Sequence, residues 1–263
     1  MDLGLKSHVA IVTGSSRGIG EAIANGLAKE GAKVTICARD EAELKETAEK
    51  ISTSTGAEVL PIKANLNNID DIKMLVKNTF NRFHKIDILI NNTGGPPATL
   101  FLETSNREWQ EAVNSLLMSI INCCREVIPY MKRQKWGRII NMASFAAKQP
   151  AERLILSNAV RAGILGLTKS LSNELAEDGI LVNAVCPGYT LTRRLEELVR
   201  TEAKKAGKSY EENMEKCAAE VPLKRLAKPE EIANLVVFLA SEKASYITGA
   251  TIQVDGGLIK SVW

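Results

Sequence analysis

Val9-Ala10-Ile11-Val12-Thr13-Gly14-Ser15-Ser16-Arg17-Gly18-Ile19-Gly20 runs on into Glu21-Ala22-Ile23-Ala24-Asn25-Gly26-Leu27-Ala28. The order is an apolar strand, a tight glycine turn and a helix. Glycines let the backbone turn sharply and bring amide groups close to an anion, while the helix that follows aims its positive N-terminal end at the same point. The stretch therefore predicts a phosphate cradle built from backbone. Its TGxxxGxG spacing differs from the commoner GxGxxG, so the context carries the argument. A second apolar run, Lys33-Val34-Thr35-Ile36-Cys37-Ala38, follows within one βαβ length.

Working outward, the 263 residues are 45% hydrophobic and 25% charged, the balance of an ordinary soluble globular chain. Lys and Arg number 34 against 31 Asp and Glu, and the basic residues are scattered among acids, which gives a nucleic-acid groove or a membrane-binding face little support. No stretch reaches the roughly eighteen apolar residues of a membrane span, and Met1-Asp2-Leu3-Gly4-Leu5-Lys6 lacks the apolar core of a signal peptide. A cytoplasmic location is expected. Cys37, Cys123, Cys124, Cys186 and Cys217 have no CxxC spacing and read as reduced core thiols. His8 and His84 stand alone, so no metal site is expected.

Strand and helix signals alternate along the rest of the chain. After Arg39, Asp40-Glu41-Ala42-Glu43 resembles an N-cap with an acid three residues on, and predicts a helix to about Ile51. Strands are expected at 59–64, 87–91, 138–142, 180–185 and 251–254, and helices at 69–83, 107–134 and 152–178. Pro229 marks one more helix start. The stretch from Leu191 to Lys228 is charged, helical and poor in β-branched residues, the pattern of an inserted helical substrate lid. The alternation predicts one α/β domain over 1–263, a doubly wound parallel sheet of Rossmann type with helices on both faces. Ligands are then expected at the carboxyl ends of the strands, where the loops after Gly14, Asn92, Ser144 and Pro187 all fall.

With those loops placed, the chain resembles the short-chain dehydrogenase/reductase family from end to end, and within it the 3-oxoacyl-[acyl-carrier-protein] reductases and sugar dehydrogenases. The resemblance is carried by five motifs in order: Thr13 to Gly20; Asn91-Asn92-Thr93-Gly94; Ile140-Asn141-Met142-Ala143-Ser144; Asn183 to Gly188 with Thr192; and Ile247-Thr248-Gly249 with Val254-Asp255-Gly256-Gly257. It implies an active site of a serine, a Tyr-x-x-x-Lys on the following helix and an asparagine on the preceding long helix. Ser144 matches the serine. Ser157 stands where the tyrosine is expected and Arg161 where the lysine is expected, and Gly166-Leu167-Thr168-Lys169 keeps that register without a gap. The asparagine position falls on Leu116, with Asn114 two places away.

Carbonyl reduction needs a hydride, a donor to the carbonyl oxygen and a proton for the nascent alkoxide. Ser144 can supply the donor. Arg161, one helical turn from Ser157, shares its face and can donate to a nicotinamide ribose or a substrate oxygen, but arginine keeps its proton near neutral pH and is no shuttle. The leading reading is an NADP(H)-dependent oxidoreductase with remodelled proton delivery, Ser144 and Arg161 acting as electrophiles and Ser157 holding a water. The alternative is a nucleotide-binding relative with little or no turnover, serving as sensor or partner subunit; lyase or epimerase chemistry on the same cofactor site is a third. Tyr189, directly after Pro187-Gly188, is the one tyrosine that the sequence places at the same edge, either as replacement acid or as packing beneath the lid.

The resemblance also assigns the cofactor contacts. The ribose-chelating acid of NAD-dependent members is replaced by Ala38, and Arg39 follows while Arg17 sits in the glycine loop, which points to a 2′-phosphate and hence NADP(H) over NAD(H). Gly14, Ser16, Gly18, Ile19 and Gly20 are expected on the phosphates, Asn65 and Leu66 at the adenine, and Asn92, Thr93 and Gly94 along the adenosine ribose. Pro187, Gly188, Thr190 and Thr192 are expected at the carboxamide and pyrophosphate. Lys148 and Arg153, just beyond Ser144, suit a carboxylate or a phosphopantetheine-linked acyl group. The resemblance further implies a homotetramer, or a homodimer, packed through the two long helices and the C-terminal strand region; the apolar faces around Leu116-Leu117 and Ile164-Leu165 suit this and ordinary core equally.

Overall fold

The computed structural model of the chain describes residues 2–262. Met1 and Trp263, the two ends of the expected 1–263 domain, lie outside the described residues, as do the side chains of Lys205 and Ala206. In chain order the elements are β1 (Val9–Thr13), α1 (Gly18–Lys29), β2 (Lys33–Ala38), α2 (Glu41–Thr55), β3 (Val59–Lys63), α3 (Ile69–Phe83) and β4 (Ile88–Asn91). There follow α4 (Asn106–Val113), α5 (Ser119–Gln134), β5 (Gly137–Met142), α6 (Ile155–Leu175), β6 (Ile180–Pro187), α7 (Arg193–Ala206), α8 (Tyr210–Glu220), α9 (Pro229–Leu239) and β7 (Thr251–Val254).

The strands form one seven-stranded sheet, ordered β3-β2-β1-β4-β5-β6-β7, and every pairing is parallel. Alternate residues feed opposite layers, as the two-residue period of a strand requires. Ala10, Val12, Ile88 and Ile90 pack under α1 and α9, whereas Ile11 and Leu89 pack on the side of α3 and α5. Both faces are covered, which is why these strands read as unbroken apolar runs. The order reverses between β1 and β4, and that switch point opens a crevice at the carboxyl edge, where the glycine turn lies.

Local chemistry sets the helix ends. Asp40 caps α2 by accepting from the Ala42 and Glu43 amides, and the helix runs past the expected Ile51 to Thr55 because Gly56, at φ 73°, provides the left-handed stop. The expected helix from Glu152 starts instead at Ile155: Arg153 has a φ of 57°, and the Asn158 side chain holds both the amide and the carbonyl of Ala151, which keeps that turn out of the helix. The expected 107–134 helix is interrupted by a π-helical turn at Asn114–Met118. Such a turn inserts a residue and rotates the helical faces on either side of it relative to one another. Helices α7 and α8 occupy the segment expected as a lid, and its two ends are tied by a bridge in which Leu191 donates to Ala227 O at 2.8 Å and Ala227 donates to Tyr189 O at 2.9 Å. Leu116 and Ile164 are core residues, 1% and 0% exposed, while Leu117 and Leu165 are half-buried.

Candidate active site

The glycine turn is held by β4. Thr13 Oγ1 donates to Asn92 O and accepts from Asn92 N, each at 2.8 Å, and Asn92 Nδ2 donates to Gly14 O at 2.9 Å. A Cβ on Gly14 would lie 2.6 Å from Asn92 O, and one on Gly20 would lie 2.3 Å from Gly14 O. Only glycine fits these two places. Ser15, which sequence reasoning passed over, is fully buried, donating to Val12 O at 2.6 Å and accepting from Cys37 N at 3.0 Å, so it pins the turn to β2.

Arg17, at the N-cap of α1, makes no side-chain cap, so the first amides of α1 at Gly18, Ile19 and Gly20 are left for a ligand. Across the crevice, Gly18 at φ 61° faces the Thr192 methyl, and Thr192 caps α7 by accepting from Leu195 N at 3.3 Å. Thr190 is buried and donates to Gly188 O, and a Cβ on Gly188 would meet Asp255 Cα at 2.7 Å. The glycine turn and the loop after β6 thus form two walls of one groove at the switch point. Backbone amides at a helix start, with no room for a Cβ behind them, fit a dinucleotide pyrophosphate.

On the side of the glycine turn that faces α2, Glu43 is an addition to the expected residues. Ser16 Oγ donates to Glu43 Oε2 at 2.8 Å and Arg17 Nη1 to Glu43 Oε1 at 3.1 Å, so the acid expected to close a cap on α2 reaches the glycine turn instead. Arg39 is exposed and has no partner among the described residues. Asn65 accepts from Asn67 N at 3.2 Å in a local turn, and Leu66 packs against the core.

At the other end, Ser144 caps a short 3-10 turn, Phe145–Ala147, and accepts from Ala146 N at 3.1 Å. Its hydroxyl proton is donated to no described residue, so it is available to a ligand oxygen. Ser157 is buried, and its hydroxyl has no hydrogen-bond partner among the described residues. Arg161 is buried as well: Nη1 donates to Met142 O at 3.1 Å and Ala143 O at 2.9 Å, and Nη2 donates to Gly94 O at 3.2 Å. Three of its five N–H donors are used on backbone carbonyls, leaving two. No carboxylate among the described residues pairs with it, and burial, with Arg194 nearby, pushes its pKa down to about 10, so it stays cationic at neutral pH.

Leu116 packs against Ala112, Leu156 and Val160, so an apolar contact between α4 and α6 fills the place expected for an asparagine, and Asn114 is exposed. Tyr189 stacks edge-on against Phe145, with ring centroids 5.2 Å apart, and donates to Glu220 Oε2 at 3.1 Å. Burial and the Glu220 carboxylate raise its pKa, which makes it a poorer acid than a free phenol. Beside this centre a cavity of about 250 Å³ opens beneath α7 and α8, walled by Phe145, Tyr189, Leu195, Val199 and Leu258. Arg153 pairs with Glu103 at 3.0 Å and lines the cavity beneath α7 and α8.

Residues 14–259 match the family profile described as Enoyl-(Acyl carrier protein) reductase. A 3-oxoacyl-[acyl-carrier-protein] reductase of Synechocystis sp. is 36% identical over 97% of this chain and 98% of its own. The chain belongs to the short-chain dehydrogenase/reductase family. Among solved structures, L-sorbose reductase from Gluconobacter frateurii complexed with NADPH and L-sorbose is 35% identical, covers 100% of both chains and superposes with a TM-score of 0.95. An actinorhodin polyketide ketoreductase with NADPH is 33% identical over 97% of this chain and 98% of its own, with a TM-score of 0.93.

Proposed function

We propose that this family member is an NADP(H)-dependent oxidoreductase that interconverts a carbonyl and an alcohol, with a proton path that does not use the family's tyrosine. The observation that carries the reading is Ser144, a hydroxyl with a free proton at the carboxyl edge of β5, between the nucleotide groove and the cavity beneath α7 and α8. The NADPH complexes among its structural relatives support the cofactor, and the glycine cradle fits its pyrophosphate.

When bound, the nicotinamide supplies or accepts the hydride. Ser144 Oγ donates to the carbonyl oxygen and stabilises the charge that gathers there. Ser157 holds a water that delivers the proton. Arg161 fixes the end of β5 and the loop after β4 through Met142, Ala143 and Gly94 and offers its two remaining N–H groups to the ribose or the substrate oxygen. Gly14, Ser16, Arg17, Gly18, Ile19 and Gly20, with Thr190 and Thr192 opposite, hold the phosphates. Asn65, Leu66, Asn92, Thr93 and Gly94 line the adenosine side, and Pro187 and Gly188 the carboxamide. Helices α7 and α8 act as the substrate lid. Ketones, 3-oxoacyl thioesters and sugars are the candidate substrates, and a homotetramer or homodimer is the proposed assembly.

Losing a positioned general acid lowers the proton-transfer contribution by roughly 10²–10⁴-fold, so turnover below that of tyrosine-bearing relatives is expected. The test is NADPH oxidation over those three substrate classes by the wild type and Ser157→Ala. Turnover on one class, with kcat about ten-fold or more lower in the variant and NADPH binding unchanged, is the expected result. NADPH binding without turnover on any class favours the sensor or partner-subunit role instead.

A further inference from the structure

Glu43 lies in the first turn of α2, yet its carboxylate is joined to the glycine turn. Oε2 accepts from Ser16 Oγ at 2.8 Å and Oε1 from Arg17 Nη1 at 3.1 Å, while Thr47 Oγ1, one helical turn further on, donates to Ser16 O at 2.7 Å. The Glu43 side chain keeps 32% of its exposure and that of Arg17 49%, so the cluster stands at the wall of the groove and is open to a ligand. A carboxylate here presents two oxygens to one hydroxyl and one guanidinium. Those are the donors that a phosphate monoester would also take.

On the reading that this end of the groove receives the adenosine ribose, we propose that Glu43 is a selectivity residue for the ribose 2′ substituent. A 2′-phosphate and the Glu43 carboxylate compete for Ser16 and Arg17, and two anions side by side repel. NADPH therefore binds with Glu43 displaced from both partners, and Arg39, free of any described partner, adds to the attraction that displaces it. A 2′-hydroxyl carries no charge and can donate to the carboxylate where it stands. Glu43 thus narrows the preference for NADPH over NADH that Arg17 and Arg39 create, and the chain retains a measurable affinity for NADH.

The test is calorimetric titration of the wild type, Glu43→Gln and Arg17→Ala with 2′,5′-ADP, AMP, NADPH and NADH. An exposed ion pair of this kind is worth a small factor in a binding constant, so Glu43→Gln is expected to bind 2′,5′-ADP and NADPH about two- to five-fold more tightly, with NADH unchanged or weaker. Arg17→Ala is expected to weaken 2′,5′-ADP more than it weakens AMP. Weaker or unchanged 2′,5′-ADP binding in a folded Glu43→Gln protein overturns the proposal, since Glu43 would then be orienting Ser16 and Arg17 for the phosphate. A wild type that does not distinguish 2′,5′-ADP from AMP overturns the placement of the ribose as well, and Arg17→Ala separates the two failures.

Discussion

Arg161 on α6 and Gly94 in the loop after β4, 67 positions apart in the chain, are joined by a hydrogen bond of 3.2 Å from the guanidinium to the glycine carbonyl. The same guanidinium holds Met142 O and Ala143 O at the end of β5. One buried cation without a carboxylate partner therefore fixes both loops that meet at the crevice. Arg161→Ala leaves the buried carbonyls of Met142 and Ala143, and the partly exposed one of Gly94, without this donor, and each unsatisfied buried group costs about 1–3 kcal/mol where water does not replace it. Chemical denaturation is expected to show a loss of about 2 kcal/mol or more, with weakened NADPH binding; Arg161→Lys, which keeps the charge but not the fork, is expected to fall between the two.

Leu116 occupies the register at which an asparagine was sought, and it is fully packed between Ala112, Leu156 and Val160. Leu116→Asn removes apolar burial and leaves an amide without a partner. The expected cost is about 2–5 kcal/mol in a urea titration. Turnover is not expected to rise, because the contact between α4 and α6 that orients Ser157 is loosened.

Gly20→Ala places a Cβ against Gly14 O at a distance that the backbone has to move to relieve. The cradle amides shift with it. NADPH affinity is expected to fall at least ten-fold by fluorescence titration, while the far-ultraviolet dichroism stays that of the wild type.

At the opposite edge of the sheet, Asp87 accepts from Val9 N at 2.7 Å and Gln134 Nε2 at 3.0 Å and pairs with Lys85 at 2.9 Å. Burial alone would raise its carboxyl, but His8, Lys85 and the Val9 amide together hold it below the ordinary carboxylate value. A depressed folded value stabilises the fold above the unfolded value near 4, and the contribution is lost as pH falls through the folded value. Asp87→Asn is expected to lower stability at pH 7 by about 1–3 kcal/mol. The gap to the wild type should close in denaturation curves taken below about pH 4.

The sheet was legible because its strands are buried on both faces and read as apolar runs between turns, and the glycine turn announced itself by residue type. What the sequence could not show were pairings between distant segments. Glu43 has the spacing of a capping acid for its own helix, and nothing local reveals that its oxygens reach Ser16 and Arg17. Arg161 was legible as a replacement for lysine, but its carbonyl partners depend on how β4 and β5 end. The π turn at Asn114–Met118 leaves no mark in the hydrophobic pattern, because the backbone on both sides remains helical. Arg153 is legible as a cation just beyond Ser144, and only the fold brings Glu103 to it.

The central claim is that Ser144 is the group that polarises the substrate carbonyl. Single-turnover oxidation of bound NADPH, followed by stopped flow with the substrate class that turns over, tests it in the wild type against Ser144→Ala. A rate about 10²-fold or more lower in the variant is expected, with NADPH affinity within about two-fold of the wild type. A variant that oxidises NADPH at the wild-type rate would contradict it.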